Sequence, residues 1–202
     1  MKAPGTAVRA VPLAVLLAVA APGTPGRSPA WTPAWAPARA DPAVPEPPGY
    51  RGEPYRAPVP DTVAGARVVR TQDLREWVTR GEAVLIDVLP APRRPEGMRP
   101  DRPWMPPPRR NLPGSVWLPE VGREALSPEL EDYFMDRLGL VTAGNKGVPV
   151  VFYCLSDCWM SWNATKRARS YGFRNAMWYP EGTDGWAAAG LPLEDARPEP
   201  MD

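Results

Sequence analysis

The stretch Val148-Pro149-Val150-Val151-Phe152-Tyr153, running into Cys154-Leu155-Ser156-Asp157-Cys158-Trp159, decides how this chain folds. Its first half is a continuous apolar run with no polar alternation, the pattern of a central parallel strand buried on both faces. Cys154 is then the first residue beyond a strand's carboxyl end, where open α/β sheets bind their ligands. The N–H groups from Leu155 to Met160 and the positive end of the next helix would surround its sulfur and favour the thiolate. The competing reading is an inert cysteine buried for packing.

Working outward, a helix from Met160 to Tyr171 stops at Gly172, and Ala176-Met177-Trp178-Tyr179 supplies another strand. Upstream, a short strand at Ala66 to Arg70 precedes a helix with Thr71 as N-cap. That helix carries Leu74, Trp77 and Val78 on one face and Gly81 after its end. The strand Ala83 to Val88 follows at once. Ser127-Pro128 is a capped helix start, with Leu130, Phe134 and Leu138 as the apolar face before Gly139. Strands alternating with helices imply an α/β fold, a parallel sheet with helices on both faces.

The rest of the chain is irregular. Of its 202 residues 30 are proline, far above the usual share of about 5%. They crowd into 41–65, read as an extended linker or arm without assigned structure, and into an insert over 91–110. That insert carries Arg93, Arg94, Arg99, Arg102, Arg109 and Arg110, which makes it either an arginine-bearing lid for an anionic partner or a solvated loop. Residues 1–40 read as a signal peptide and Ala/Pro-rich segment. Lys2 and Arg9 precede the apolar run Val11 to Ala21, with A-x-A sites at Ala18-Val19-Ala20 and Ala38-Arg39-Ala40. The run is shorter than the roughly 20 residues a membrane span needs. The expectation is export to the periplasm, cleavage of the signal and no transmembrane helix in the mature protein. Residues 195–202 form a tail.

Composition excludes several chemistries. The chain has no histidine, which removes Ser-His-Asp and Cys-His catalysis and most zinc sites, so no metal is expected. Lysine and arginine form no basic stripe, and no nucleic-acid partner is expected. Cys154 and Cys158 are the only cysteines, and a single close pair in an exported protein reads as a catalytic or disulfide-capable couple. Residues four apart in a helical turn fall within the roughly 4.4 to 6.8 Å of Cα separation that a disulfide tolerates.

Four stretches, in order, resemble the rhodanese family. Leu85-Ile86-Asp87-Val88 is similar to its L-I-D-V-R strand, Asn111-Leu112-Pro113-Gly114-Ser115 to its H-I-P-G-A turn, and Val150 to Cys154 to the strand entering its active cysteine. Gly172-Phe173-Arg174-Asn175 through Glu181-Gly182 and Trp186 to Gly190-Leu191-Pro192 is similar to its closing motif. The resemblance covers about 66–194 and implies a rhodanese-like domain with a parallel sheet of about five strands. It also implies a persulfide-carrying cysteine at Cys154. The family's loop is commonly C-R-S-G-x-R, whereas Leu155, Asp157 and Trp159 stand here, so slow classical sulfurtransferase activity is expected. The Cys-x5-Arg of cysteine phosphatases fails at Met160.

Within that family, Phe152-Tyr153-Cys154 through Cys158-Trp159-Met160-Ser161-Trp162-Asn163 resembles exported CXXCW-motif proteins associated with PQQ-dependent alcohol catabolism, although the spacing here is C-x-x-x-C-W. The resemblance implies a redox or sulfur-handling accessory, with a thiol-containing or quinoprotein dehydrogenase partner. The sequence itself requires no cofactor. Cys154 is then the nucleophile and Cys158 the partner thiol, with Leu155, Ser156, Asp157, Trp159, Met160, Ser161 and Trp162 as the substrate-contacting loop. Alternatives are a persulfide-type sulfurtransferase using Cys154 alone and a non-catalytic binding module. Trp159 and Trp162 either wall a pocket for a planar ligand or pack against the domain. Ser161 either caps the helix start or bonds the Cys154 sulfur.

Overall fold

The computed structural model describes residues 43–201; the expected signal segment lies outside the described residues. In chain order the elements are β1 (Arg67–Val68), α1 (Thr71–Arg80), β2 (Val84–Asp87), β3 (Arg109–Asn111), β4 (Val116–Trp117), α2 (Pro128–Val141), β5 (Val150–Tyr153), α3 (Trp159–Ser170), β6 (Ala176–Trp178), α4 (Gly182–Ala188) and β7 (Glu194–Ala196). Five strands form a parallel sheet in the order β1-β6-β5-β2-β4, and β3 pairs antiparallel with β7 in a separate ribbon. No helix among the described residues is long and apolar enough to cross a membrane.

Strand β5 is central and every residue in it is buried, as its unbroken apolar run requires. Its alternate side chains serve two cores. Val150 and Phe152 meet Phe134 and Leu138 of α2 and Ala164 and Ala168 of α3. Val151 and Tyr153 meet Leu74 of α1 and Trp186 of α4. Both faces of the sheet are thus covered, as the alternation of elements predicts.

Three local expectations change. Thr71 is the first helical residue of α1, not its cap; the N-cap is Arg70, whose side chain makes no capping bond to the helix. The Thr71 N–H and hydroxyl instead both donate to Glu181, at 2.8 and 2.5 Å, so the carboxylate of the α4 N-cap satisfies the helix start. Helix α2 runs through Gly139 to Val141 and closes where Gly144, at φ +73°, donates its N–H to the Gly139 carbonyl. Ser127 does cap α2, accepting from the Leu130 N–H.

The third change concerns the arm. Between residues 43 and 65 there is no helix and no named strand, yet the segment is fastened along α3. Lys166 Nζ donates to the carbonyls of Pro47, Pro48 and Gly49 and lies 4.8 Å from the Trp162 ring centroid. The Arg167 guanidinium sits 4.1 Å from the Tyr50 ring. A proline-rich chain cannot satisfy its own carbonyls, and α3 supplies the donors.

Candidate functional site

Cys154 leaves β5 fully buried, and its carbonyl accepts the Thr183 N–H of α4 at 3.0 Å. Gly182 makes that approach workable, because a Cβ there would collide with the Cys154 carbonyl and the Leu155 backbone. The loop then turns outward. Leu155 and Ser156 are half-buried, and Asp157 is exposed in the left-handed region at φ +50°. It returns at Cys158, the N-cap of α3. Cys154 and Cys158 are joined by a disulfide with 6.5 Å between their Cα atoms.

The loop's amides do not form the open ring expected around a free thiolate. The Ser156 N–H donates to Asp184 Oδ2 at 3.2 Å, and the Ser156 hydroxyl donates to the same oxygen at 2.9 Å. The Trp159 N–H, first in α3, donates to the Tyr55 carbonyl at 2.8 Å, while the Ala57 N–H donates to the Asp157 carbonyl at 2.9 Å. These two bonds flank an antiparallel bridge between Arg56 and Cys158. Two N–H groups that would otherwise receive an anion are therefore satisfied by the protein's own oxygens.

The remaining loop residues of the sequence reading lie inside the protein. Trp159 and Trp162 meet edge to face at 5.4 Å and join Trp178 and Val63 in a third core. Their indole N–H groups donate to the Pro58 and Thr62 carbonyls, so the arm occupies the surface expected for a planar ligand. Met160 is buried against Gly122, where a side chain would strike the Met160 carbonyl. The Ser161 hydroxyl donates to the Cys158 carbonyl and accepts the Trp178 indole N–H, so it bonds neither sulfur.

Sequence reasoning missed two contributors. Asp184 and Arg56 meet at 3.0 Å beside Ser156. Beneath α4, Arg109 from the insert reaches Asp87 at 2.7 Å, and its Nη1 donates to Thr183 Oγ1 at 3.5 Å. Asp87 also accepts the Leu89 N–H, so it is both backbone-bonded and ion-paired. Burial raises its carboxyl to about 6, against the opposing pull of Arg109. Burial, reinforced by the Asp87 charge, pushes the Tyr153 phenol well above its ordinary value. Of the other insert arginines, Arg99 pairs with Asp101 and Arg94 donates to the Pro100 carbonyl within the insert, whereas Arg93 reaches Glu120 at 3.4 Å and Arg110 reaches Asp195 at 3.6 Å.

Among solved structures, a thiosulfate sulfurtransferase from Pseudomonas aeruginosa is 19% identical over 66% of this chain, with a TM-score of 0.44; the match spans 21% of that protein. The polysulfide-sulfur transferase homodimer from Wolinella succinogenes is 22% identical over 66% of this chain and 81% of its own, with a TM-score of 0.40. No curated protein matches the chain significantly. The rhodanese-like domain profile matches residues 70–189. That match takes in more than half of the sequence, from the start of α1 through α4, and the chain belongs to the rhodanese-like domain family.

Proposed function

We propose that this chain is a periplasmic rhodanese-like protein whose Cys154–Cys158 pair works by thiol–disulfide exchange, as an accessory to PQQ-dependent alcohol catabolism. One observation carries the exchange chemistry: the two thiols are joined across the loop while its amides are held by Asp184 and Tyr55. In the reaction, a partner thiolate attacks one sulfur and the S–S bond breaks, releasing the other cysteine as a thiolate. A second partner thiol then displaces the mixed disulfide. The partner leaves oxidised, and two electrons and two protons stay on the loop.

The setting rests on the sequence. The Cys158-Trp159-Met160-Ser161-Trp162-Asn163 resemblance supports the link to quinoprotein dehydrogenases, and Lys2, Arg9 and the Val11 to Ala21 run support export. Protein recovered from cells should begin at Ala21 or Asp41. Its intact mass should be about 2 Da below that of the dithiol form and return on reduction. A species about 32 Da heavier would instead mark a persulfide and restore the sulfurtransferase reading. A disulfide that native dithiothreitol cannot open would leave a binding module.

A further inference from the structure

Asp184 sits in the first turn of α4, with its side chain 42% exposed, at the rim of the loop that carries the disulfide. Three donors converge on its Oδ2: the N–H and hydroxyl of Ser156 and Nη2 of Arg56. An anion approaching the loop would need the Ser156 donors, and a fixed negative charge already holds them. Next to it Asp157 is exposed. Against these two carboxylates the rim offers Arg56 from the arm, already paired with Asp184. Arg109, half-buried and within reach of Thr183 Oγ1, is itself paired with Asp87. The mouth of the loop is left with an excess of negative charge.

We propose that Asp184 is a specificity residue that turns anionic sulfur compounds away from the Cys154–Cys158 disulfide and favours neutral or cationic thiols. The proposal rests on the exchange reading above and adds the charge of the partner group to it. The chemistry is unchanged by charge: two thiols are oxidised to one disulfide while the loop disulfide is reduced to two thiols. What differs is the work of bringing the attacking group to the rim. Unit charges a few ångströms apart in solvent interact by about 1 kcal/mol, and salt screens this over about 10 Å.

The test measures reduction of the intact protein by cysteamine, 2-mercaptoethanol and 2-mercaptoethanesulfonate. Each rate is divided by the same thiol's rate on the neutral 2-hydroxyethyl disulfide, which removes differences in intrinsic reactivity. At low ionic strength the normalised cysteamine rate should exceed the sulfonate rate by about three- to tenfold, and salt should draw the two together. Asp184→Asn should lower that ratio at least about twofold, and Asp184→Glu should restore it. A ratio near one in the unmodified protein, or one untouched by Asp184→Asn, overturns the proposal. The salt dependence of the unmodified protein decides the matter even if the asparagine variant folds poorly. If no thiol reduces the disulfide, including the neutral one, the exchange reading itself fails and takes this proposal with it.

Discussion

The Tyr55 carbonyl accepts the Trp159 N–H at 2.8 Å, so the first amide of α3 is satisfied by the arm and not by anything bound at the cysteine loop. In an isolated helix that N–H is one of the unsatisfied donors that make the amino end attractive to anions. Here the arm covers it and pairs across Cys158 through Arg56. Attachment of the arm is therefore expected to govern access to the disulfide.

Asn163 is the residue through which to test that link. Its wholly buried amide accepts the Arg51 N–H and donates to the carbonyls of Arg51 and Gly122. Asn163→Ala should destabilise the protein by about 1–3 kcal/mol, since the buried Gly122 carbonyl and the part-buried N–H and carbonyl of Arg51 lose their partner. Part of that loss should fall on the arm, raising the rate of disulfide reduction by up to about tenfold for each 1.4 kcal/mol removed from arm attachment. Urea denaturation gives the first quantity and dithiothreitol kinetics the second. A destabilised variant reduced at the original rate would show that the arm does not limit access.

A second expectation concerns Asp87. Its carboxyl is raised from 3.8 to about 6, with burial outweighing the Arg109 charge. The folded protein therefore keeps this proton over a range where the unfolded chain has lost it. The stability so contributed is full below about pH 4 and is lost as the pH rises through about 6, on the order of 3 kcal/mol. Asp87→Asn has no such proton to lose. Measured in urea from about pH 4 to about pH 7, the stability of the unmodified protein relative to this variant should decline across that window. A constant difference would mean that Arg109 compensates the buried charge fully.

The architecture was legible because its signals are local. The apolar run of β5, the Ser127-Pro128 start of α2 and Gly81 after α1 each state their structure within a few residues. What closes the cysteine loop was not legible, because its partners are remote. Arg56 and Asp184 are 128 positions apart, and Arg51 and Asn163 are 112 apart. No periodicity reports such pairings. The same non-locality accounts for Thr71, whose partner Glu181 is 110 residues on, and for Trp159 and Trp162, whose covering surface is an arm with no regular pattern of its own. Gly139 is the converse case: a local stop signal overridden by the turn that Thr142 and Gly144 build beyond it.

The burial of the two sulfurs bears on the order in which they are expected to react. Cys154 stands at a strand end, which from sequence alone makes it the attacking thiol. In the folded protein Cys154 is 0% exposed while Cys158 keeps 5%, and Cys158 is the N-cap of α3, where the helix end favours a thiolate. Exchange requires an attacking thiol to reach one sulfur along the S–S axis, so Cys158, the less deeply buried of the two, is expected to form the mixed disulfide and Cys154 to resolve it. We therefore expect Cys154→Ser to accumulate partners covalently held on Cys158, and Cys158→Ser to accumulate few. Non-reducing electrophoresis of each variant recovered from cells, followed by mass analysis of the bands that vanish on reduction, provides the measurement. The opposite pattern would return the attacking role to Cys154 and require the loop to open before reaction. Equal and negligible trapping in both variants would mean that the disulfide exchanges with no protein thiol.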